Sequence, residues 1–343
     1  MRFGIIGGGF GYDSHFEALK NIKGIDIVGI ADSGSGRLLS KLTNSELYFN
    51  SIESLIKSKP NVITIATPPC NHFNLISKLA QSNIHIVCEK PFCISSTEGL
   101  KANSLIEKFK LASCINFQYR FEPGIQFLKS KINDQDIDNI KSVEVIWLTS
   151  GRKDPNSLWT WRNDKQQGGG VINAFLIHII DLIQWLLNCE INDVVKSKNK
   201  IIIPYRRDNY SNVRPVTAED FTEVEFILKN NILASSKVSN CNATSIGLQI
   251  TINRNEEKLI FEHKPPFRAC DQSVFVEKEN KKISLFNASN IIPTNYEDTR
   301  TFSLRELYKK FILSVNGASK RDLPSFKSGY QVKKIIEKIN NFE

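Results

Sequence analysis

The sequence predicts an α/β chain of two domains: a doubly wound parallel sheet first, then an α+β domain with a large, mostly antiparallel, open-faced sheet. Three features support this fold class. Short apolar strands alternate with helical segments over the first third of the chain, as in parallel sheets with right-handed crossovers. A glycine-rich turn follows the first strand. Alternating stretches rich in β-branched and aromatic residues dominate the rest, which is typical of antiparallel sheets.

Length and charge agree with this division. A chain of 343 residues exceeds the usual size of a single hydrophobic core, so two domains are expected. We place them at residues 1–118 and 119–343, with the C-terminal helix packing back on the first domain. The net charge of +9 is spread over the chain without a continuous basic block. This pattern argues against nucleic-acid binding and favours steering of an anionic substrate.

The cysteines and the apolar stretches predict the compartment. The seven cysteines are scattered and include no C-x-x-C pair, which indicates reduced thiols in a cytoplasmic protein. Because a strand begins with the first residues, we expect no secretory signal peptide. The longest apolar stretch, 171–187, is short for a bilayer and contains polar residues, so it predicts a buried helix and no membrane span. No histidine set has zinc-ligand spacing, and no metal is expected.

The first strand, Phe3–Ile6, runs into the spacing Gly7-x-Gly9-x-Gly11, and a helix is predicted over 14–20. Glycines permit a tight turn and close approach of a ligand to the backbone, while the helix end supplies free N–H groups. This combination predicts a diphosphate site. A tight turn without a ligand is the alternative, because the strict G-x-G-x-x-G spacing is not met.

The second strand, 25–30, is followed by Asp32, about 20 residues beyond the glycines. An acidic side chain at this place accepts hydrogen bonds from the adenosine ribose and repels a 2′-phosphate, so NAD is favoured over NADP. Arg37 keeps NADP open, since an arginine there can pair with that phosphate. A simpler role for Asp32 is to cap a helix over 35–43.

The third strand, 62–66, ends in a loop that we interpret as a wall of the cofactor site, because ligands bind beyond the C-terminal ends of parallel strands. Pro68 and its neighbouring proline stiffen the stretch from Thr67 to His72. Asn71 is placed to cap the next helix. The alternative for His72 is an ordinary polar residue in a first helical turn.

The fourth strand, 84–88, ends in Glu89-Lys90-Pro91. A lysine at the end of a parallel strand, beside a glutamate and followed by a proline, is a candidate active-site cation. Surface lysines are common in this chain, so the position alone leaves a surface role open. The other predicted elements of the first domain are the helices 51–58, 71–82 and 95–109 and the strand 113–117.

These motifs, taken in their order and spacing, resemble the Gfo/Idh/MocA oxidoreductases, the family of glucose–fructose oxidoreductase and inositol dehydrogenase. The resemblance rests on Gly-Ile-Ile-Gly-Gly-Gly-Phe-Gly with His15, on Ala-Thr-Pro-Pro-x-Asn-His, and on Glu-Lys-Pro-Phe. It continues through Asn116-Phe117-Gln118-Tyr119-Arg120, Trp161-Arg162, Gly168-Gly169-Gly170 and His178-x-x-Asp181. It is clear for about the first 190 residues and mainly architectural afterwards.

The resemblance implies a Rossmann domain and roles for particular residues. Lys90 is implied to contact both nicotinamide and substrate, with a cis bond before Pro91, and His178 to be the general acid or base on the substrate hydroxyl. The implied cofactor-binding residues are Gly7, Gly9, Phe10, Gly11, Asp32, Arg37, Thr67, Pro68, Asn71, His72, Glu89 and Lys90. The implied substrate-binding residues are Arg120, Trp161, Arg162 and Asp181. Family members also favour homodimers or homotetramers formed through the C-terminal sheet.

One position departs from the family pattern. Members usually carry an aspartate four residues before the helical histidine, whereas this chain has Ala174 there. Positions 174, 178 and 181 share one face of an α-helix, so Asp181 could partly replace the missing carboxylate. Without a carboxylate partner, the tautomer of His178 is less fixed. Because apolar residues surround it at helical spacing, His178 could instead be a buried, hydrogen-bonded core residue.

Arg162 is suited to hold a carboxylate or phosphate, and a surface salt bridge is the alternative. The second domain is predicted to contain strands over 142–149, 191–203, 221–228, 232–239, 246–253 and 258–263. The stretch 204–217 is predicted as a polar loop, and helices are predicted over 303–316 and 327–341.

The leading functional hypothesis is an NAD(P)-dependent oxidoreductase that acts on a secondary hydroxyl or keto carbon of a sugar, cyclitol or nucleotide sugar. Two alternatives follow from the absent aspartate. One is a dinucleotide-binding sensor or regulator without catalysis. The other is a reductase of a different substrate class, of the imine or biliverdin type, that needs no aspartate–histidine pair.

Overall fold

The computed structural model describes residues 1–32, 38, 42, 45–132, 134–292, 299–319 and 322–342. Arg37 and most of the predicted helix 35–43 lie outside these residues. The chain forms two compact units. The first unit contains Met1–Phe121 and Arg300–Lys333, and the second contains Glu122–Thr299 and Lys334–Glu343.

The first part of the chain alternates strands and helices as predicted. Its strands are β1 (Arg2–Ile6), β2 (Asp26–Ala31), β3 (Tyr48–Phe49), β4 (Val62–Ile65), β5 (His85–Cys88) and β6 (Ser113–Ile115). Its helices are α1 (Glu17–Lys20), α2 (Ile52–Lys57), α3 (His72–Gln81) and α4 (Ser96–Lys108). The six strands form one parallel sheet in the order β3-β2-β1-β4-β5-β6, which confirms the doubly wound fold.

The second part begins with α5 (Pro123–Ser130) and contains one long helix, α6 (Ile177–Leu186). Its strands are β7 (Ile140–Leu148), β8 (Ile191–Lys200), β9 (Tyr205–Arg207), β10 (Val213–Pro215), β11 (Phe221–Leu228), β12 (Leu233–Ser239), β13 (Gly247–Arg254), β14 (Lys258–His263), β15 (Gln272–Lys278) and β16 (Lys281–Asn287). Eight of them form a sheet in the order β16-β15-β14-β13-β7-β12-β11-β8. Every pair in this sheet is antiparallel except β7 with β12, which confirms the predicted second sheet.

The chain ends in α7 (Thr299–Val315) and α8 (Phe326–Asn340). Helix α7 completes the core of the first unit, where Leu307, Tyr308 and Phe311 pack among the strand residues Phe3 and Val62. Helix α8 is divided between the units after Lys333. Among the helices that the structure describes, none is long and apolar enough to span a membrane.

Several elements differ from prediction: strands β3, β15 and β16 and helix α5 were not predicted. The polar loop predicted over 204–217 contains the small antiparallel sheet of β9 and β10. These three-residue strands are largely exposed and lack the apolar alternation that identifies a strand, so the sequence gives no signal for them. The helix predicted over 14–20 begins earlier, as a π-helical segment, Gly11–Phe16. At its start, Tyr12 and Asp13 both donate their backbone N–H groups to the carbonyl of Gly9, which starts the helical turn.

Candidate functional site

Two glycines of the turn after β1 differ in the space around them. Gly7 has φ +123°, and a Cβ atom there would lie 2.3 Å from the carbonyl oxygen of Ala66, so only glycine fits. A Cβ atom on Gly9 would have no atom within 4 Å among the described residues. The turn is therefore held tightly against the sheet at Gly7 and is open at Gly9, next to the helix that begins at Gly11.

Asp32 lies beside this turn. A Cβ atom on Gly8 would be 2.8 Å from Cγ of Asp32, so the carboxylate passes directly over the Gly8 backbone. This contact explains Gly8, which sequence reasoning did not include among the site residues. Phe10, at the tip of the turn, is 36 % exposed, and its ring contacts that of His15 edge-on with centroids 5.4 Å apart.

The turn, the helix start and Asp32 together fit a dinucleotide. The open backbone at Gly9 admits a diphosphate, the helix that begins at Gly11 presents the positive end of its dipole, and Asp32 supplies acceptors for ribose hydroxyls. Strand order reverses between β1 and β4, which is where ligands bind in open parallel sheets.

The loop after β4 contains Thr67, Pro68, Asn71 and His72. Thr67 is half-buried, while Pro68 and Asn71 are exposed. Asn71 occupies the position before α3, but its side chain makes no capping hydrogen bond, so the capping prediction is wrong. The chain enters α3 through the 3-10 turn Pro69–Asn71, which leaves Asn71 with helical dihedral angles instead of the extended ones that a capping side chain needs.

His72 is fully buried and joins two loops at the C-terminal edge of the sheet. Its Nδ1 lies 3.1 Å from the carbonyl oxygen of Phe92, and its Nε2 lies 2.9 Å from that of Thr67. Burial lowers the pKa of His72, although both carbonyls act in the other direction. Both ring nitrogens thus bond the two loops, and the predicted contact of His72 with the cofactor stays a prediction.

The second of these loops carries Lys90. The Lys90–Pro91 peptide bond is cis, as the resemblance implies. The backbone N–H of Lys90 donates to Oε2 of Glu89 at 3.1 Å, so Glu89 fixes the lysine by its main chain. Glu89 is 8 % exposed and Lys90 is half-buried.

A buried chain of hydrogen bonds holds Glu89 in place. His15 Nε2 lies 2.9 Å from Glu89 Oε1, and the amide of Asn116 donates to the same oxygen. On the other side of the ring, His15 Nδ1 lies 2.7 Å from the hydroxyl of Tyr308, which is also 2.7 Å from Oγ1 of Thr64. A ring proton on Nε2 satisfies every group: Thr64 donates to Tyr308, Tyr308 to His15, and His15 to Glu89.

Burial and hydrogen bonding determine the protonation states of the side chains in this hydrogen-bonded series. Burial alone would raise the pKa of Glu89, but the hydrogen bond and electrostatic interaction with His15, the charge of Lys90 and the bond from Asn116 outweigh it, and the pKa is lowered. Glu89 is therefore ionised at neutral pH. Burial raises the pKa of Tyr308 well above its ordinary value, so the phenol keeps its proton and remains a donor. Sequence reasoning missed Tyr308, Thr64 and Asn116 as members of this site.

In the second unit, His178 and Asp181 lie on α6 and are 2 % and 1 % exposed. The helix begins as a π-helical segment, Ile172–Leu176, which contains Ala174. The α-helical spacing that places positions 174 and 178 on one face does not hold across this segment, because a π-turn contains an extra residue. That sequence argument is therefore wrong in its geometry, while the departure from the family pattern at Ala174 stands.

The glycines before this segment are shaped by a carboxylate that sequence reasoning missed. Gly170 has φ +94°, and a Cβ atom there would lie 2.1 Å from Oε1 of Glu219. The same oxygen accepts the backbone N–H of Ile172 at 3.0 Å, and the Glu219 carbonyl accepts that of Val171 at 2.9 Å. Burial raises the pKa of Glu219, while the bond from Ile172 opposes the shift. Glu219 thus fixes the start of the helix that carries His178.

Trp161 and Arg162 lie in a 3-10 turn of the same unit, Trp161–Asn163. The carbonyl of Arg162 accepts the backbone N–H of Gly170 at 3.1 Å, which brings the turn against the glycines. The Arg162 guanidinium lies 5.0 Å from the centroid of the Trp161 ring, and Trp161 is 47 % exposed. Arg120, in contrast, belongs to the first unit and is only 6 % exposed.

The structure thus forms two groups of the predicted residues. In the first unit, the glycine turn meets Asp32, and His72 joins the Thr67 loop to the loop after β5. In the second unit, the turn carrying Arg162 meets the glycines that begin the helix of His178. No group of histidine, cysteine, aspartate or glutamate in the described ranges is arranged to hold a metal ion.

The fold and the glycine turn define a dinucleotide-binding protein, and comparison with known families identifies its class. Residues 1–117 match the Gfo/Idh/MocA oxidoreductase family, NAD-binding Rossmann fold. Residues 125–258 match the Gfo/Idh/MocA C-terminal domain. The chain therefore belongs to the Gfo/Idh/MocA family of NAD-binding oxidoreductases.

Individual relatives are distant. An uncharacterized oxidoreductase of Synechocystis is 26 % identical over 68 % of this chain, and the match spans 63 % of that protein. Glucose-6-phosphate 3-dehydrogenase of Bacillus subtilis is 22 % identical over 98 % of this chain and 94 % of its own length. Among solved structures, a levoglucosan dehydrogenase in complex with NADH and L-sorbose has a TM-score of 0.83 at 21 % identity, covering 99 % of this chain and 97 % of its own.

Proposed function

We propose that the protein is an NAD-dependent dehydrogenase of a secondary hydroxyl group on a sugar, cyclitol or nucleotide sugar. The observation that carries this proposal is the C-terminal edge of the parallel sheet, where the open turn at Gly9, the carboxylate of Asp32 and the fixed backbone of Lys90 occur together. The named dehydrogenases among the relatives support the substrate class.

In this proposal Asp32 accepts hydrogen bonds from the adenosine ribose, and the turn at Gly9 approaches the diphosphate. When bound, NAD would supply the nicotinamide that serves as hydride acceptor for the carbinol carbon. Asp32 also disfavours a 2′-phosphate by charge repulsion, so NAD is preferred to NADP.

Lys90 orients the reacting oxygen and stabilises the negative charge that develops on it. Its main chain is fixed to the ionised Glu89, which lies between His15 and Asn116, so the backbone that carries the lysine is held before any substrate binds. A preorganised cation lowers the barrier because no reorganisation is needed as charge develops.

His178 exchanges the proton of the substrate hydroxyl. Glu219 and the glycines fix the beginning of its helix, so the imidazole is presented by a rigid element. The absent aspartate at Ala174 leaves the tautomer to other neighbours of the ring, and we expect a smaller contribution from His178 than from Lys90.

The test is NADH formation with a panel of neutral sugars, cyclitols, sugar phosphates and nucleotide sugars. Lys90→Met should lower kcat by about 100-fold or more, the usual effect of losing a charge-stabilising donor. Lys101→Met, at an exposed position on α4, is the matched control and should leave kcat unchanged. Equal turnover of the two variants would remove Lys90 from the mechanism.

His178→Ala separates the proposal from a reductase of the imine type. Loss of activity in both His178→Ala and Lys90→Met supports proton transfer by the histidine. Activity that survives His178→Ala, with Lys90→Met inactive, would redirect the assignment to a reaction without a strong base. Assembly into dimers or tetramers through the second sheet stays a prediction.

A further inference from the structure

Three arginines of the second unit, Arg152, Arg162 and Arg206, form a cluster of like charge that we call the arginine cluster. The Nη2 atom of Arg206 lies 2.5 Å from the carbonyl oxygen of Arg152, which joins two members directly. Arg152 is half-buried, and its pKa is lowered by burial first and then by the charges of Arg206 and Arg162. Arg152 also reaches the turn that carries Arg162, because its side chain bonds Thr160 and Asn163 on either side of that residue.

The partners of the two inner arginines are all neutral. Arg206 is 3 % exposed and donates to the carbonyls of Asp154 at 2.7 Å, Ser157 at 3.2 Å and Arg152. The Nη2 atom of Arg152 donates to Asn163 Oδ1 at 3.0 Å and to Thr160 Oγ1 at 3.3 Å. These hydrogen bonds fix both side chains, but none of them neutralises a charge.

Arg162 completes the cluster at the surface. Its guanidinium lies against Trp161, and within the described part of the chain neither it nor Arg152 or Arg206 forms a salt bridge. An arginine has five N–H donors, so Arg162 and Arg152 keep donors that can point to a ligand. The nearby carboxylate of Asp220 accepts the backbone N–H groups of Ile202 and Ile203 and forms no salt bridge with these arginines. Partly buried guanidinium groups without a directly bonded carboxylate are costly unless an anion joins them.

The cluster lies at the end of the helix that carries His178. The Arg162 carbonyl accepts the N–H of Gly170, and the helical segment begins two residues later at Ile172. Eight residues separate Gly170 from His178, roughly 12 Å along a helix axis. This separation is of the order that a sugar with a phosphate on a remote carbon can span together with an arginine and a histidine side chain.

We propose that the arginine cluster binds a phosphate group of the substrate, so that the substrates of this dehydrogenase are phosphorylated sugars. Planar guanidinium groups match phosphate oxygens in pairs, and the Arg162 group makes a cation–π contact with Trp161. The phosphate is either a monoester or part of a nucleotide-sugar diphosphate, and both present the same anionic oxygens to Arg152 and Arg162. This inference rests on the proposed function for the identity of the sugar.

The experiment is calorimetric titration of the NAD-loaded protein with glucose 6-phosphate, UDP-glucose, inorganic phosphate and glucose. A phosphorylated ligand should bind at least tenfold more tightly than glucose. Comparing the affinities of glucose 6-phosphate and UDP-glucose shows whether the cluster prefers a monoester or a diphosphate. Arg162→Gln should remove at least tenfold of that advantage. Arg162→Lys keeps the charge but loses the paired donors, so its affinity for the phosphorylated ligand should lie between those of the wild type and Arg162→Gln.

Arg207→Gln is the matched control for loss of a positive charge. Arg207 is exposed, lies next to Arg206 in β9, and donates to the carbonyl of Ser211 at 3.0 Å. Its substitution should leave phosphate affinity unchanged. Thermal unfolding of every variant confirms folding, which is expected for Arg162→Gln because the side chain is exposed.

The inference and the proposed function can fail separately. Arg162-dependent binding of a phosphorylated ligand without NADH formation supports the arginine cluster and counts against the dehydrogenase assignment. NADH formation with unphosphorylated sugars, together with equal affinity for glucose and glucose 6-phosphate, would overturn the cluster and leave the dehydrogenase. Equal loss of phosphate affinity in Arg162→Gln and Arg207→Gln would also overturn it.

Discussion

Tyr308→Phe tests the buried chain of hydrogen bonds, because it removes one oxygen atom and keeps the ring. The phenol ring packs edge-on against Phe3, with centroids 5.7 Å apart, and this packing is unchanged in the variant. The hydroxyl bonds both Thr64 and His15 at 2.7 Å, and all three side chains are fully buried. The substitution therefore leaves two buried polar groups without their partner.

Each unsatisfied buried group costs about 1–3 kcal/mol, so Tyr308→Phe should lower the free energy of unfolding of the first unit by about 2–6 kcal/mol. Tyr48→Phe is the control, since Tyr48 packs against the same core and the structure gives its hydroxyl no hydrogen bond among the described residues. We expect a change below about 0.5 kcal/mol for it. Adding Thr64→Val to Tyr308→Phe should recover about 1–3 kcal/mol, because one orphaned group is then removed.

The assay must report on the first unit alone. All four tryptophans, Trp147, Trp159, Trp161 and Trp185, belong to the second unit, so their fluorescence follows the wrong transition. Hydrogen exchange at the buried amides of β1 and β4 measures the first unit directly. The reasoning would be refuted if Tyr308→Phe and Tyr48→Phe lowered the free energy of unfolding equally. It would also be refuted if adding Thr64→Val to Tyr308→Phe lowered that free energy further.

Three other predictions concern glycines and a histidine. Gly9→Ala should weaken NAD binding at least tenfold and change the free energy of unfolding by no more than about 0.5 kcal/mol. Gly7→Ala should lower both the NAD affinity and the free energy of unfolding, which titration and unfolding curves will measure. Gly170→Ala should destabilise the second unit by more than about 1 kcal/mol, because Cβ meets Glu219 and φ is positive; urea unfolding followed by tryptophan fluorescence measures this. Burial lowers the pKa of His263 to about 4, so stability should fall as pH decreases from the unfolded-state pKa of 6.5 towards 4, by roughly 2–4 kcal/mol, and His263→Asn should lack this slope in pH-dependent unfolding.

The parallel sheet could be predicted from sequence because each of its signals is local. The strand before Gly7 is a short apolar run, and Asp32 and Lys90 each follow another such run. Since strand ends of a parallel sheet meet at one edge, position in the chain is enough to group these residues. The cis bond before Pro91 was implied by the family resemblance and is confirmed.

The polar contacts behind these residues could not be predicted in the same way. His15 and Tyr308 are 293 residues apart, and Thr64 and Tyr308 are 244 apart. Helical periodicity identifies position 308 only as a core position, since a buried tyrosine and a buried phenylalanine give the same pattern. Glu219 was missed for a similar reason, because a carboxylate between two strands is usually solvated and only its contact with Gly170 reveals its role.

The hairpin of β15 and β16 shows a different limit. Its turn, Glu279-Asn280, has φ of +51° and +61° at its two central residues, and the usual sequence signal for such a turn is glycine at the second of them. Strand β16 is exposed along most of its length, so it also lacks apolar alternation. The pairing with β15 comes from backbone hydrogen bonds, which leave no trace in the side-chain pattern.

The chain of hydrogen bonds also has a consequence for how the nucleotide-binding unit is built. The segment Arg300–Lys333 belongs to the first unit, although the whole second sheet precedes it in the sequence. Tyr308 lies on this segment, and through His15 it supports Glu89, which in turn fixes the backbone of Lys90. A Rossmann domain that ended at residue 118 would contain His15 and Glu89 but would lack the donor that orients the ring. The proposed active-site lysine therefore depends on the end of the chain for its position, and Tyr308→Phe should reduce kcat as well as stability because both effects arise from the same orphaned histidine.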